Sequence, residues 1–178
     1  ILIANSALER IFGILDTEPD IEASSNAIVL PTINGEVEFK NLSFGYEKNE
    51  KILKNINFKV RSGETIALVG ATGAGKSTII NLITLFYDIV QGKLLIDGID
   101  IRKVTLSSLR QQIGVMMQDN FIFSGTIMDN IRYGRLDASE EEIIEAAKAV
   151  YVHDFISSLD KGYHTELNER GSQLSVGQ

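Results

Sequence analysis

The sequence predicts a mixed α/β fold, and three stretches of its 178 residues carry that prediction. Residues 35–60 alternate apolar and polar side chains, as antiparallel strands with one polar face do. Residues 65–86 combine a continuous apolar run, a glycine-rich loop and a helical pattern. From residue 119 onward the pattern is helical. The predicted architecture is therefore an α/β core with an N-terminal antiparallel β-subdomain and a helical subdomain.

The first 34 residues predict a helix and a connector rather than part of the core. Apolar residues recur at helical spacing over residues 1–16, at Ala4, Leu8, Ile11, Phe12 and Leu15. The stretch 16–34 is rich in acidic, Ser and Asn residues and contains both prolines, which is typical of a linker. We expect the compact domain to begin at residue 35, with a core to about 118 and a helical subdomain over 119–178.

Three short segments predict an antiparallel subdomain. Val37 and Phe39 alternate with charged residues, and the segment 56–60 alternates in the same way. The apolar run 94–96 leads into Asp97-Gly98, a dipeptide that favours a hairpin turn. We therefore interpret Asp97 as a turn residue.

The segment Thr65–Val69 predicts a strand buried on both faces, because it is apolar throughout. It is followed by Gly-Ala-Thr-Gly-Ala-Gly-Lys-Ser at 70–77, which matches G-x-x-x-x-G-K-[ST], the phosphate-binding P-loop. An amphipathic helix is predicted over 77–86, with Ile79, Ile80, Leu82, Ile83 and Phe86 on its apolar face. A second short apolar strand is predicted over 113–117. This order of elements, with the P-loop between strand and helix, resembles that of a P-loop NTPase core.

Each part of the P-loop pattern has a chemical task. Glycines let backbone N–H groups turn inward around a phosphate, and the helix that follows directs its positive end at the anion. Lys76 is expected to contact the β- and γ-phosphates, and the Ser77 hydroxyl to bind Mg²⁺. A chance glycine-rich turn would match the fixed positions in roughly one such chain in a hundred. The expected phosphate-binding residues are Gly70, Ala71, Thr72, Gly73, Ala74, Gly75, Lys76, Ser77 and Thr78.

The helical block contains one clear helix start. Ser139 followed by Glu142 forms a capping box, and the acidic residues between them suit the positive end of the helix dipole. The helix that begins there is expected to bury Ile143, Ile144, Ala147 and Val150.

Composition excludes several classes of function. The chain has no Cys, so disulfides, thiol catalysis and thiolate metal sites are excluded. Its net charge is -7 and no Lys/Arg cluster stands out, which argues against nucleic acid as a partner. No apolar run approaches the roughly 20 residues that span a bilayer. The two histidines, His153 and His164, lack metal-ligand spacing.

One further motif identifies a family resemblance. Leu174-Ser175-Val176-Gly177-Gln178 resembles the L-S-G-G-Q signature of ABC ATPases, and it lies about 100 residues after the P-loop. Gln118 resembles the family's Q-loop glutamine, and Tyr46 its adenine-stacking aromatic. Residues 165–171 resemble the segment that precedes the signature in exporters, and residues 1–30 resemble the exporter linker. The resemblance covers essentially the whole chain.

The resemblance implies ATP and Mg²⁺ as cofactors and a role for each matching residue. Tyr46 would stack on adenine, although it could be an ordinary strand-end aromatic. Gln118 would position Mg²⁺ and water and, with Lys76, serve catalysis, although it could be a solvated loop amide. Ser175, Gly177 and Gln178 would present a helix N-terminus to ATP held by a second subunit, or form a plain helix cap.

Two substitutions and one absence depart from the family pattern. Val176 replaces the usual first glycine of the signature, and Asn168 replaces a glycine common before Glu169-Arg170. In the family a strand ending in Asp-Glu (Walker B and the catalytic base), a D-loop and a switch His follow the signature. The sequence ends at Gln178, so we expect an incomplete ATP-binding domain that binds ATP but hydrolyses little.

The resemblance implies an exporter motor. Its expected partners are a transmembrane domain of the same polypeptide and a second nucleotide-binding domain, identical or not, and its expected location is the cytoplasmic face of the membrane. Two alternatives stay open: a soluble ABC ATPase of the DNA-repair or translation type, and a binding module without turnover. The exporter-like segments 1–30 and 165–171 argue against the soluble type.

Overall fold

The structure is a computed structural model that describes residues 2–18, 21, 24, 26–47, 50–116 and 121–168, with side chains from residue 8 onward. The chain divides into two compact units, residues 1–114 and 115–178. Each unit has its own hydrophobic cluster and is described separately below.

The first unit is built on a four-stranded antiparallel sheet. Its strands are β1 (Val37–Phe44), β2 (Leu53–Val60), β3 (Gln91–Ile96) and β4 (Ile99–Asp100), in the order β2-β1-β3-β4. Phe39 pairs with Phe58 on one side and with Leu94 on the other, so the alternating pattern places large apolar residues in register. The predicted antiparallel subdomain is confirmed, and Asp97-Gly98 forms the predicted turn between β3 and β4.

Among the residues that the structure describes, the first unit also contains three helices. They are α1 (Leu2–Leu15), α2 (Lys76–Ile83) and α3 (Leu106–Arg110), with a 3₁₀ turn at Ile101–Lys103. The core residues with the least exposure come from the sheet, from α2 and from the segment around α3: Phe39, Leu42, Leu82, Leu94, Ile96, Ile101, Val104 and Leu109. The sheet and the two short helices thus share one core.

Helix α1 forms where the periodicity predicts it. Its apolar side chains from residue 8 onward are largely exposed, for example Ile14 at 77 % and Leu15 at 70 %. Among the helices that the structure describes, none has both the length and the hydropathy needed to cross a bilayer.

The two predicted core strands are wrong for this structure. Residues 65–69 belong to no strand and are all exposed, and residues 113–116 are likewise unpaired. The apolar pattern needs neighbouring strands on both sides, and no described segment lies hydrogen-bonded beside either stretch. Ile66 and Leu68 instead line an open apolar groove of about 500 Å³ beside α2 and the sheet. The predicted apolar face of α2 is accordingly divided, with Leu82 buried but Ile80 39 % exposed.

The second unit is mainly helical, as predicted. It contains β5 (Gly125–Thr126), α4 (Ile127–Arg132), α5 (Glu140–Ala149), α6 (His153–Ser157), a 3₁₀ turn at Gly162–His164 and β6 (Glu166–Leu167). β5 and β6 pair antiparallel. The buried side chains are Ile127, Ala147, Ile156 and Leu167, which form one cluster.

Helix α5 begins as predicted and ends at Ala149. The Ser139 side chain accepts from the Glu142 N–H while the Glu142 carboxylate accepts from the Ser139 N–H, so the capping box is confirmed. Ile143 and Ala147 are buried. Val150 was expected to be buried but is 70 % exposed, because it lies at the C-cap, where the helical face no longer continues.

Candidate phosphate-binding site

The glycine-rich loop leads into α2 at Gly75, whose backbone conformation favours glycine. Gly75, the N-cap of α2, has a φ of 89°, in the left-handed region that other residues rarely adopt. A Cβ at this position would also lie 2.7 Å from Leu53 Cδ2, at the start of β2. The loop therefore lies tightly against β2, which sets where α2 begins.

The N-terminus of α2 presents free backbone donors. The helix has no side-chain N-cap and no acidic residue in its first turn. The N–H groups of Lys76, Ser77 and Thr78 donate to no described residue, as is usual for the first turn of a helix. Together with the positive end of the helix dipole, these donors suit an anion such as a phosphate.

Lys76 lies across the loop that precedes it. Its Nζ atom donates to the carbonyl oxygens of Gly70 and Ala71, at 2.8 Å each. Ser77, next along the helix, is exposed, so its hydroxyl can reach a metal ion. The ammonium group is thus held over the glycine-rich loop by two weak backbone acceptors, which a phosphate oxygen could replace.

Tyr46 is brought to the same helix from the end of β1. Its hydroxyl lies 3.1 Å from Thr78 Oγ1, although the two residues are 32 positions apart. The Tyr46 ring packs edge-on against Tyr87, with centroids 4.9 Å apart, and against Phe44, at 5.2 Å. The ring is 49 % exposed, so a planar ligand could stack on it.

The loop after Tyr46 depends on a glycine. A Cβ on Gly45 would lie 1.7 Å from the Glu50 carbonyl oxygen, so no other residue fits without moving the loop. The Ile52 N–H donates to the Phe44 carbonyl oxygen at 2.8 Å and closes the loop at its base. This closure determines where Tyr46 lies relative to α2.

Asp97 has a structural role, as expected of a turn residue. Its carboxylate accepts from the backbone N–H groups of Glu36 and Asn34. The hydrogen bond from Glu36 is the main reason why the pKa of Asp97 lies below its ordinary value. In the part of the chain that the structure describes, no group of three or more His, Asp or Glu side chains could hold a metal ion.

The remaining expected site residues, Gln118, Ser175, Gly177 and Gln178, lie outside the described residues, as do Val176, Glu169 and Arg170. The structure therefore brings together Tyr46 and the P-loop residues 70–78. Sequence reasoning missed the Thr78 hydroxyl as a partner of Tyr46, and Tyr87 as its packing neighbour. Neither belongs to a motif that places it beside Tyr46, so no local signal would have found them.

Comparisons with known proteins show which family the chain resembles. A family model described as ABC transporter matches residues 53–178. The chain is 50 % identical over its full length to an uncharacterized ABC transporter ATP-binding protein, YknV, of Bacillus subtilis, and covers 30 % of that protein. It is 48 % identical to an ATP-dependent lipid A-core flippase of Syntrophus aciditrophicus, with 96 % of this chain and 28 % of the flippase covered.

A solved structure supports the same relationship. A bacterial Atm1-family ABC exporter with ATP bound matches 94 % of this chain and 29 % of its own, with a TM-score of 0.87 and 43 % identity. The chain thus spans less than a third of the length of these relatives.

Proposed function

Because this chain belongs to the ABC transporter family, we propose that it is the ATP-binding motor part of an exporter, which couples ATP binding and hydrolysis to movement of a substrate across a membrane. The observation that carries the proposal is the geometry of α2. Its free N–H groups, the ammonium group of Lys76 and the ring of Tyr46 converge on one helix end. A phosphate chain and an adenine require that set of groups.

In this proposal the site residues bind different parts of the nucleotide. The amides of residues 70–78 bind the phosphates, and Lys76 exchanges its two carbonyl acceptors for phosphate oxygens. Tyr46 stacks on adenine and fixes its distance from the loop. The exposed Ser77 hydroxyl and Gln118 would hold Mg²⁺, which when bound neutralises charge on the phosphates. The hydroxyl fits an oxygen-preferring cation, and the Gln118 assignment rests on the family pattern alone.

The partners follow from the same proposal. A second nucleotide-binding domain would face this one head to tail, so that Ser175, Gly177 and Gln178 of each contact ATP on the other. The exposed apolar residues of α1 fit a linker that leaves a transmembrane domain of the same polypeptide. The motor would then lie on the cytoplasmic face of the membrane.

Nucleotide titration by calorimetry tests the proposal directly. The 178-residue chain should bind Mg·ATP, and Lys76→Ala should abolish binding or weaken it severely. Lys161→Ala, at an exposed lysine of the second unit, is the matched control and should bind as the parent does. Equal affinity of the Lys76→Ala variant would remove the P-loop from the account.

Hydrolysis by these residues alone should be slow. No acidic side chain of the described residues pairs with any residue of the P-loop, and Asp97 is committed to the backbone of residues 34–36. Loss of a positioned base typically costs 10²–10⁴-fold in rate. Phosphate release from this chain should therefore be far below that of a longer chain that includes a Walker B strand. Equal turnover would mean that a base exists among these residues.

A further inference from the structure

Residues 28–33 lie near the end of the predicted connector and are held to the rest of the first unit by backbone hydrogen bonds and by two apolar side chains. Ile28 pairs with Val104 in a parallel bridge, with its N–H donating to the Lys103 carbonyl oxygen at 2.9 Å. Leu30 is 4 % exposed and is the one fully buried apolar side chain in this stretch. Val29, beside it, is 74 % exposed. Ile33 is half-buried and packs against the same core as Leu30, so both side-chain packing and hydrogen bonds hold the connector.

The side chain of Gln112 makes three of the six hydrogen bonds that join residues 28–33 to other described residues of the first unit. Gln112 Oε1 accepts from the Ile33 N–H at 3.0 Å, and Gln112 Nε2 donates to the carbonyl oxygens of Leu30 at 3.3 Å and Pro31 at 3.1 Å. Nε2 also lies 3.2 Å from the Ser108 carbonyl oxygen, which orients the amide. The Gln112 amide therefore acts as a short strand would, satisfying a donor and two acceptors of the connector.

Ser108 provides the neighbouring attachment. Its buried hydroxyl accepts from the Leu30 N–H at 2.9 Å and donates to the Thr105 carbonyl oxygen, also at 2.9 Å. Ser108 lies within α3, and Gln112 follows two residues after the helix ends. The side chains of Ser108 and Gln112 thus hold four backbone groups of the connector, on Leu30, Pro31 and Ile33.

Helix α3 also contacts the C-terminal end of α2, which is the helix that follows the P-loop and is called the P-loop helix below. Arg110, the last residue of α3, donates to the carbonyl oxygens of Thr84 at 3.1 Å and Leu85 at 2.9 Å. Its guanidinium also lies 4.8 Å from the centre of the Phe86 ring. Thr84 is the C-cap of α2, so Arg110 satisfies carbonyl groups that a helix end leaves without partners.

We propose that α3 is a mechanical junction between the connector and the P-loop helix, with Gln112 and Arg110 as its two positioning residues. On one side Gln112 fixes the connector, and on the other Arg110 fixes the helix whose first turn faces the phosphates. A change in the position of α2 on nucleotide binding would then be passed to the connector without a direct contact between the two. This use of the junction rests on the proposed function, whereas the attachment itself does not.

Amide hydrogen exchange measured by NMR on the 178-residue chain tests the attachment without nucleotide. Gln112→Met keeps the length of the side chain and removes its polar atoms. Exchange at the Ile33 N–H should accelerate by about tenfold or more, as expected for loss of a hydrogen bond of ordinary strength. The Ile28 N–H, which is held by Lys103 instead, should change by less than about twofold.

The matched control is Gln111→Met. Gln111 is exposed, and its side chain makes no hydrogen bond to any residue that the structure describes. This variant should leave Ile33 exchange unchanged. Unchanged exchange at Ile33 in Gln112→Met, or equal acceleration in both variants, would overturn the attachment.

Arg110→Gln tests the junction, again without nucleotide. If α3 joins the two elements, this variant should accelerate exchange at Ile33 as well as in the last turn of α2. An effect confined to α2 would overturn the junction. In the parent chain, Mg·ATP should also slow exchange at Leu30 and Ile33, and Gln112→Met should lose that protection while calorimetry still shows binding. Absence of ATP binding to the parent would count against the proposed function and would leave the nucleotide-free result standing.

Discussion

The last three residues of strand β3, Leu94–Ile96, and the segment 65–69 are both apolar runs, but they lie in different environments. In β3, Leu94 is 0 % and Ile96 is 1 % exposed, and both residues pair with β1. In the segment, Ile66 is 47 % and Val69 is 91 % exposed, and no described strand pairs with either. Apolar composition alone therefore does not bury a strand.

The difference lies in where the partners are. The partner of β3 is β1, which the described chain supplies with a matching alternating pattern, so both backbones and side chains are satisfied. A strand that is apolar on both faces needs neighbours on both sides and a layer above and below it. Within the described residues the segment has only α2 and one face of the sheet, which leave the groove open.

The largest expected effect comes from a matched pair of substitutions. Ile96→Ala should lower the free energy of unfolding by about 2–5 kcal/mol, because it leaves a cavity in the core. Ile66→Ala should cost less than about 1 kcal/mol, since the side chain is already half exposed. Urea unfolding of both variants measures the difference. Equal costs would show that residues 65–69 are packed in solution, and the comparison would fail.

Self-association should depend on the exposed segment. The open groove and the unpaired backbone at 65–69 make contact between copies favourable as concentration rises. Val69→Lys should raise the concentration at which half of the chains associate by roughly tenfold. That factor corresponds to losing the free energy of burying one valine side chain. Sedimentation velocity measures this concentration. Leu136→Lys, at a residue that is 76 % exposed in the second unit, is the control. If it has the same effect, general charge rather than the segment controls association.

Adenine recognition should depend on residues outside the exposed segment 65–69. Tyr46 is held by β1, Phe44, Tyr87 and Thr78, all outside the exposed segment. Tyr46→Ala should weaken ATP binding by up to about 1–3 kcal/mol, and Tyr46→Phe or Tyr46→Trp by much less. Calorimetric titration measures the affinities. Alanine and tryptophan variants with the same affinity would exclude stacking at this position.

The smallest expected effect concerns the turn at the edge of the sheet. Hydrogen bonds from backbone N–H groups, mainly that of Glu36, lower the pKa of Asp97 in the folded chain. The ionised carboxylate therefore stabilises the folded chain at pH values above its unfolded pKa of 3.8. That contribution is lost as the pH falls through the lower folded pKa. Asp97→Asn, which also tolerates the positive φ of 47°, should therefore lower the urea midpoint slightly at about pH 7. The difference from the parent should shrink below about pH 4, and a difference that grows on acidification would contradict this sign.

The sequence by itself determined the features whose partners are close along the chain. The glycine-rich loop and α2, the Asp97-Gly98 turn and the Ser139–Glu142 capping box each depend on residues within a few positions. The alternating pattern of β1 also sufficed, because an antiparallel strand with one buried face needs little beyond its own periodicity. The nucleotide-binding residues 70–78 and Tyr46 were predicted from motifs, and their roles stay predictions.

Only the tertiary structure decided the features whose partners are remote. The exposure of residues 65–69 depends on which strands lie beside them, and the contact of Tyr46 with Thr78 depends on how a loop closes. Gln112 lies about 80 residues from the connector backbone that it holds. Periodicity records which face of a segment is apolar, but it carries no information about which distant segment will meet that face, because that contact is set by the packing of the whole unit.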